Sequence, residues 1–172
     1  MVRELDYNTI AHVVDTWELA KQTPAFEEAV GTKILTRLFK AEPRTKKVFG
    51  FTQDTDIEAN PLAKMGALIH AKRMIHMLEG AMSMLGPDTE LLTEVLSGLG
   101  KRHIEYGVKA CYLPFMGVAI IESLSELLGS DVWNAEVEEA WEVVYEELSG
   151  DIMKAILSGS EQTSEMITTR VL

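Results

Sequence analysis

The chain is poor in cysteine and histidine, the side chains from which most disulfides and many protein metal centres are built. It has 172 residues, of which one is cysteine and four are histidine. A single thiol excludes an intrachain disulfide and is typical of a reducing compartment. A structural zinc site needs clustered Cys and His ligands. A di-iron helical bundle needs glutamate three residues before inward-facing histidines, and no histidine here has one. Both kinds of metal site are therefore excluded.

Positive charge is also sparse, with 16 Lys and Arg against 27 Asp and Glu and a net charge of −11. No basic stripe is visible, so nucleic acid is not an expected partner. No apolar run approaches the roughly 18–20 residues that span a bilayer, so no membrane association is expected. The acidic N-terminus, MVRELDYNTIAHVVD, lacks a signal-peptide core. We expect a cytoplasmic protein.

Apolar residues recur at helical spacing through nearly the whole chain, without an alternating β pattern. Breaks at Thr23-Pro24, Asn60-Pro61 and Gly86-Pro87 divide this pattern into separate helices. The apolar stripes are broad, which suits crossed helices better than a coiled coil. The sequence predicts an all-α domain over residues 1–157, followed by a polar, mobile tail over residues 158–172.

Two of the four histidines, His70 and His103, are candidates for a functional role, and the sequence pattern places them on different helices. His70 shares a helical face with Met74, Met77 and Ala81, whereas His103 ends a shorter helix one turn after Leu99. If these helices pass on either side of a flat apolar ligand, the two imidazoles can face each other across it, as a haem iron requires. The alternative is that both are ordinary, partly buried histidines, and spacing alone does not decide between the two.

Motifs for other chemistry are weak. There is no glycine-rich phosphate loop of the P-loop or dinucleotide type. Cys111 and His103 could formally make a nucleophile pair, but a lone cysteine beside Tyr112 and Leu113 is more typical of a packing residue.

Several segments, in order, resemble the globin family, especially single-domain globins of the neuroglobin and cytoglobin kind. Their order and spacing are more specific than any one of them. The resemblance covers about residues 8–157 and is carried by GTKILTRLFKAEP (31–43), KKVF (46–49), HAKRMIHMLEGAM (70–82), GLGKRHIEYGVK (98–109) and EAWEVVYEEL (139–148). It implies a globin fold, a three-over-three helical sandwich of about seven to eight helices around haem b.

The resemblance also implies roles for individual residues. His103 would be the proximal iron ligand and His70 the distal residue, able to bond iron itself. Phe49 would stack on the porphyrin. Six further residues would line the pocket: Leu35, Met74, Leu99, Val108, Leu113 and Met116. Gly31 and Ala71 would let two helices cross closely, and Tyr145 would hydrogen-bond to the backbone near Val108.

Dioxygen, nitric oxide and carbon monoxide are the ligands that this resemblance implies. The ligand-free iron is expected to be five- or six-coordinate, and the resemblance to neuroglobin favours six-coordinate iron. A carrier or store predicts reversible oxygenation. A nitric oxide dioxygenase or nitrite reductase predicts turnover with a separate reductase, since the chain is too short to include a flavin reductase domain. A gas or redox sensor, and a globin-like domain without haem, are further alternatives. Either a monomer or a homodimer is compatible with the sequence.

Overall fold

The computed structural model describes residues 5–86 and 88–170, with side chains up to residue 159. These residues contain helices and no strand, which confirms the all-α prediction. Two 3-10 helices span Pro43–Phe49 and Ala110–Tyr112. The six α-helices are α1 (Tyr7–Ala20), α2 (Phe26–Ala41), α3 (Pro61–Met84), α4 (Thr89–Glu105), α5 (Leu113–Leu128) and α6 (Ala135–Arg170).

Short polar side chains start several of these helices. Asp6, Asn60 and Asp88 each accept hydrogen bonds from free backbone amides in the first turn of α1, α3 and α4. The N-cap of α2 is Ala25, whereas the break in the sequence pattern lies at Thr23-Pro24. Ala25 has a left-handed backbone (φ 53°) and makes no side-chain cap. The Thr-Pro pair shapes the turn before α2, and the helix begins two residues after Pro24.

The end of the last helix also differs from the prediction. The sequence indicates that the helix fades near Ser158-Gly159, whereas α6 continues to Arg170. Serine and glycine weaken a helix, but no proline follows them, and adding residues to an existing helix is much easier than starting a new one.

The helices form two layers of three. α1, α3 and α4 lie over α2, α5 and α6, with the closest packing between α4 and α6, α2 and α3, and α1 and α6. Trp17 and Trp141 lie in the core, where each is 1% exposed and their ring centroids are 6.0 Å apart. Trp141 also donates a hydrogen bond to the Thr16 hydroxyl, which ties α6 to α1.

One helical stretch, Ala110–Leu128, is long and apolar enough by length and composition to cross a membrane. The expectation that no run approaches this length was therefore wrong. The central helix of a folded domain meets the same criteria, and α5 packs against α2 and α6 through residues such as Gly117, Ile120 and Leu124. Within the domain, 39% of this stretch is buried.

Helices α2 and α3 cross at a point where only small residues fit. A Cβ atom built on Gly31 would lie 2.8 Å from the Ala71 Cβ atom and 3.1 Å from the Ala71 backbone. Both residues are buried. The close crossing predicted for this pair is present, and it fixes the position of α3, which carries His70.

We expect Gly31→Ala to lower the free energy of unfolding by about 1–2 kcal/mol, because overpacking outweighs the higher helix propensity of alanine. Gly150→Ala in α6 is the matched control. A Cβ there has no neighbour within 4 Å, so alanine should raise stability by about 0.5–1 kcal/mol. Denaturant unfolding of both variants checks this, and stabilisation by both would contradict a tight crossing.

Candidate functional site

A cavity of about 440 Å³ lies between α3 and α4 and is closed at the back by α5 and α6. Its walls are mainly apolar side chains, and its volume falls in the range of about 300–1,000 Å³ typical of ligand pockets. Arg73 and Tyr106 line the cavity and are also exposed, with Tyr106 60% accessible. The cavity therefore opens to solvent between α3 and the end of α4.

Eight of the nine residues predicted for the pocket line this one cavity: Phe49, His70, Met74, Leu99, His103, Val108, Leu113 and Met116. The ninth, Leu35, is 2% exposed in the core and is not part of the cavity wall. Leu38, one turn further along α2, contributes to the wall instead. Because Leu38 follows Leu35 by three residues, the two side chains point in directions about 60° apart around the helix axis. The packing of α2 against its neighbours decides which of the two leucines faces the cavity.

The His103 ring is oriented by its own helix. Its Nδ1 atom lies 2.8 Å from the backbone carbonyl oxygen of Leu99. Because a carbonyl oxygen can only accept, Nδ1 carries the proton, and Nε2 of the neutral ring keeps its lone pair. Burial lowers the pKa of His103. The Leu99 hydrogen bond opposes this with a smaller effect, and the charge of Arg102 lowers the pKa by less again. The result is a neutral imidazole with a free Nε2 on the cavity wall.

His70 approaches the same cavity from α3. Its ring packs edge-on against Phe49, with centroids 5.2 Å apart and planes at 84°. Phe49 in turn packs edge-on against Phe39, also at 5.2 Å, so the orientation of His70 is supported from the core. Burial, and then the charge of Arg73, lowers the pKa of His70. His70 is thus also held neutral.

Tyr145 closes the rear of the cavity, but its partner differs from the prediction. Its hydroxyl donates a 2.6 Å hydrogen bond to the Leu113 carbonyl, rather than to the backbone near Val108. A Cβ atom on Gly117 would overlap the Tyr145 ring, so this glycine lets α5 and α6 approach each other. Burial raises the pKa of Tyr145 well above its usual value, which keeps the phenol protonated.

Four other polar side chains lie outside the cavity wall. His76 is exposed, and its Nε2 atom lies 2.9 Å from a Glu27 carboxylate oxygen. Lys101 and Arg102 are exposed neighbours of His103 that do not line the cavity. Cys111 is an exposed free thiol rather than a buried packing residue.

The sequence reading missed several lining residues, although helical spacing could have identified some of them. Leu96 lies two turns before His103 on α4, and Leu148 and Ile152 follow Tyr145 on the same side of α6. Others have no periodic signal, because they come from the 3-10 helices or from helix ends: Thr45, Val48, Tyr106 and Tyr112.

The two cavity histidines suit a metal ion whose other ligands are supplied by a cofactor. No group of three or more His, Cys, Asp or Glu side chains is placed to hold a bare ion in the described part of the chain. A porphyrin supplies four equatorial nitrogens, so its iron needs only one or two imidazoles. Apolar walls match the porphyrin ring, and the cation at the mouth, Arg73, matches its propionate carboxylates. The residues present therefore fit haem.

A comparison with protein families agrees with this chemistry. The family model described as Globin matches residues 32–152, which is more than two thirds of the chain. The matched region runs from α2 into α6 and includes both cavity histidines.

We expect Tyr145→Phe to lower the free energy of unfolding by about 0.5–1.5 kcal/mol, since the substitution removes the buried hydrogen bond that Tyr145 donates to the Leu113 carbonyl. Tyr106→Phe removes the same hydroxyl from an exposed ring and should change stability by less than about 0.5 kcal/mol. Chemical denaturation of the two variants measures the difference. Equal effects would show that the Tyr145 hydrogen bond contributes nothing.

Proposed function

From the premise that this chain belongs to the globin family, whose members bind haem and diatomic gases, we propose that it holds haem b between α3 and α4. His103 is the iron ligand in this proposal. The haem iron supplies the position at which dioxygen, nitric oxide or carbon monoxide binds. The protein supplies the apolar cavity, the axial ligand and the polar group on the opposite wall.

The observation that carries this proposal is the hydrogen bond between His103 Nδ1 and the Leu99 carbonyl. Histidines that bind metals usually donate their second ring N–H to a carbonyl or carboxylate, which selects the tautomer and orients the ring. In His103 that bond leaves Nε2 unprotonated, and burial opposes protonation of the ring. The side chain is therefore prepared for metal ligation by its own helix.

His70 has two possible roles, because a neutral imidazole carries one N–H and one lone pair. The N–H can donate a hydrogen bond to a diatomic ligand with partial negative charge, which favours dioxygen over less polar ligands. The lone pair can instead bond the iron when no ligand is present. We propose this six-coordinate arrangement for the ligand-free protein. An external ligand must then displace His70, and its apparent affinity falls with the fraction of open sites.

Reversible binding of dioxygen is the function that the site supports most directly, since it needs only the haem iron, the two histidines and the apolar wall. Turnover as a nitric oxide dioxygenase or nitrite reductase is a second candidate. It requires an electron donor for the iron.

His103→Ala should abolish most haem retention, because it removes the proposed iron ligand and leaves His70 as the one histidine among the described lining residues. Absorption spectra of the ferric protein and of the dithionite-reduced protein, with and without carbon monoxide, measure this. His76→Ala is the matched control, since His76 is exposed and lies away from the cavity; its spectra should be unchanged. Normal haem content in the His103 variant would falsify the assignment.

His70→Leu should convert a low-spin ferrous spectrum to a high-spin one and accelerate carbon monoxide binding by about tenfold or more, because no internal ligand has to leave first. Leucine keeps the wall apolar and of similar size, so loss of haem is not expected. Absorption spectroscopy and flash photolysis check the two effects. If neither changes, His70 does not bond the iron.

A further inference from the structure

Helix α4 touches the backbone of α6 at Gly100, one turn before His103. A Cβ atom built on Gly100 would lie 2.6 Å from the Ala155 Cβ atom, 2.7 Å from the Ile152 carbonyl oxygen and 3.3 Å from the Ile152 Cα atom. Gly100 is buried. All three neighbouring atoms are fixed to the backbone of α6, so no side-chain rotation can make room for a larger residue. The two helices can lie this close only because residue 100 has no side chain.

A second contact between the same helices follows directly after His103. Ile104 packs against Gly159 of α6, where a Cβ atom would overlap the Ile104 side chain. Gly100 and Ile104 flank His103 in the sequence, so α6 holds the end of α4 on both sides of the imidazole.

Helical geometry relates these contacts to the direction of the imidazole. At about 100° per residue, Ile104 points about 40° away from Gly100 around α4, whereas His103 points about 60° away on the other side. Gly100 faces α6, and His103 faces the cavity. A movement of α4 away from α6 therefore also withdraws His103 from the cavity, by about half of the distance that the helix moves.

We propose that Gly100 is a positioning residue for the iron ligand, because it lets α4 lie against α6 and so sets how far His103 reaches into the cavity. This inference rests on the proposed function. Alanine at this position would push the helices apart by roughly 0.5–1 Å to restore ordinary carbon–carbon and carbon–oxygen contacts. His103 would then retract by roughly 0.3–0.5 Å. Metal–ligand distances in proteins vary by only about 0.2 Å, so this shift weakens the bond to the metal.

The hydrogen bond that orients the imidazole is separate from this effect. Its donor, His103 Nδ1, and its acceptor, the Leu99 carbonyl, both belong to α4 and move together with the helix. A change at Gly100 therefore alters the strength of ligation and leaves the tautomer of His103 intact. This combination distinguishes positioning from a general loss of structure.

Gly98 supplies a matched control on the same helix, since a Cβ atom there has no neighbour within 4 Å. Gly100→Ala and Gly98→Ala add the same methyl group at different points of α4. Val13→Ala in α1, where the parent side chain is fully buried, controls for lost stability, which denaturant unfolding measures.

Three measurements on the haem-loaded proteins test the proposal. Transfer of haem to an excess of apomyoglobin gives the rate of haem loss. Resonance Raman spectra of the ferrous proteins, in a His70→Leu background with one axial imidazole, give the iron–histidine stretching frequency. Proton NMR of the diamagnetic carbon monoxide complexes shows whether His103 keeps its Nδ1 proton.

We expect Gly100→Ala to lose haem about tenfold faster than the parent, since residues that support a metal ligand typically change affinity by about 10- to 100-fold. Its iron–histidine frequency should fall, and its Nδ1 proton should remain. Gly98→Ala should match the parent in all three measurements, and Val13→Ala should keep the parent frequency despite its lower stability. Adding Ala155→Gly to Gly100→Ala should restore part of both losses, because it removes the nearest contact.

Equal rates of haem loss and equal frequencies in Gly100→Ala and Gly98→Ala would overturn the proposal. A frequency that falls as far in Val13→Ala would also overturn it, since the effect would then follow stability. So would loss of the Nδ1 proton in Gly100→Ala, because α4 would then be disrupted rather than moved. Where Gly100→Ala does not fold, Gly100→Ala/Ala155→Gly is compared with Ala155→Gly alone. Absence of haem from the parent protein would refute the proposed function instead.

Discussion

The hydrogen bond from His103 Nδ1 to the Leu99 carbonyl determines the chemistry of the whole site. It selects the tautomer whose Nε2 lone pair is free on the cavity wall, and it exists only while α4 stays helical through its last two turns. Close packing of α4 against α6 supports that helix. A Cβ atom on Gly100 would lie 2.6 Å from the Ala155 Cβ atom and 2.7 Å from the Ile152 carbonyl oxygen. The position of the imidazole thus depends on a backbone contact between two helices, one turn from the ring.

Burial and the neighbouring positive charges both lower the pKa values of His70 and His103. Removing an imidazole from water disfavours its protonated form, and the adjacent arginines add repulsion. A metal ligand must be a neutral ring, so Arg73 and Arg102 favour the form in which the two histidines can act as ligands.

The contrast between Leu35 and Leu38 shows where sequence reasoning stops. Both are apolar, both are buried, and they lie one turn apart on α2. Periodicity places them on the same side of the helix, but only the crossing of α2 with its neighbours turns Leu38 toward the cavity. Tyr145 is a similar case, because its ring position follows from the helix, whereas its acceptor depends on how α5 packs against α6. The membrane-length stretch in α5 was missed because a count of consecutive apolar residues differs from an average over a whole helix.

The sequence by itself determined the helices, most of their boundaries and the residue types facing the cavity. These depend on spacing, prolines and capping side chains, which act within a few residues of each other. Family resemblance then singled out eight of the residues that line one cavity. Only the tertiary structure decided the tautomer of His103, the exchange of Leu35 for Leu38, and the acceptor of Tyr145. Such features depend on distances between segments remote in the chain, and helix packing sets those distances.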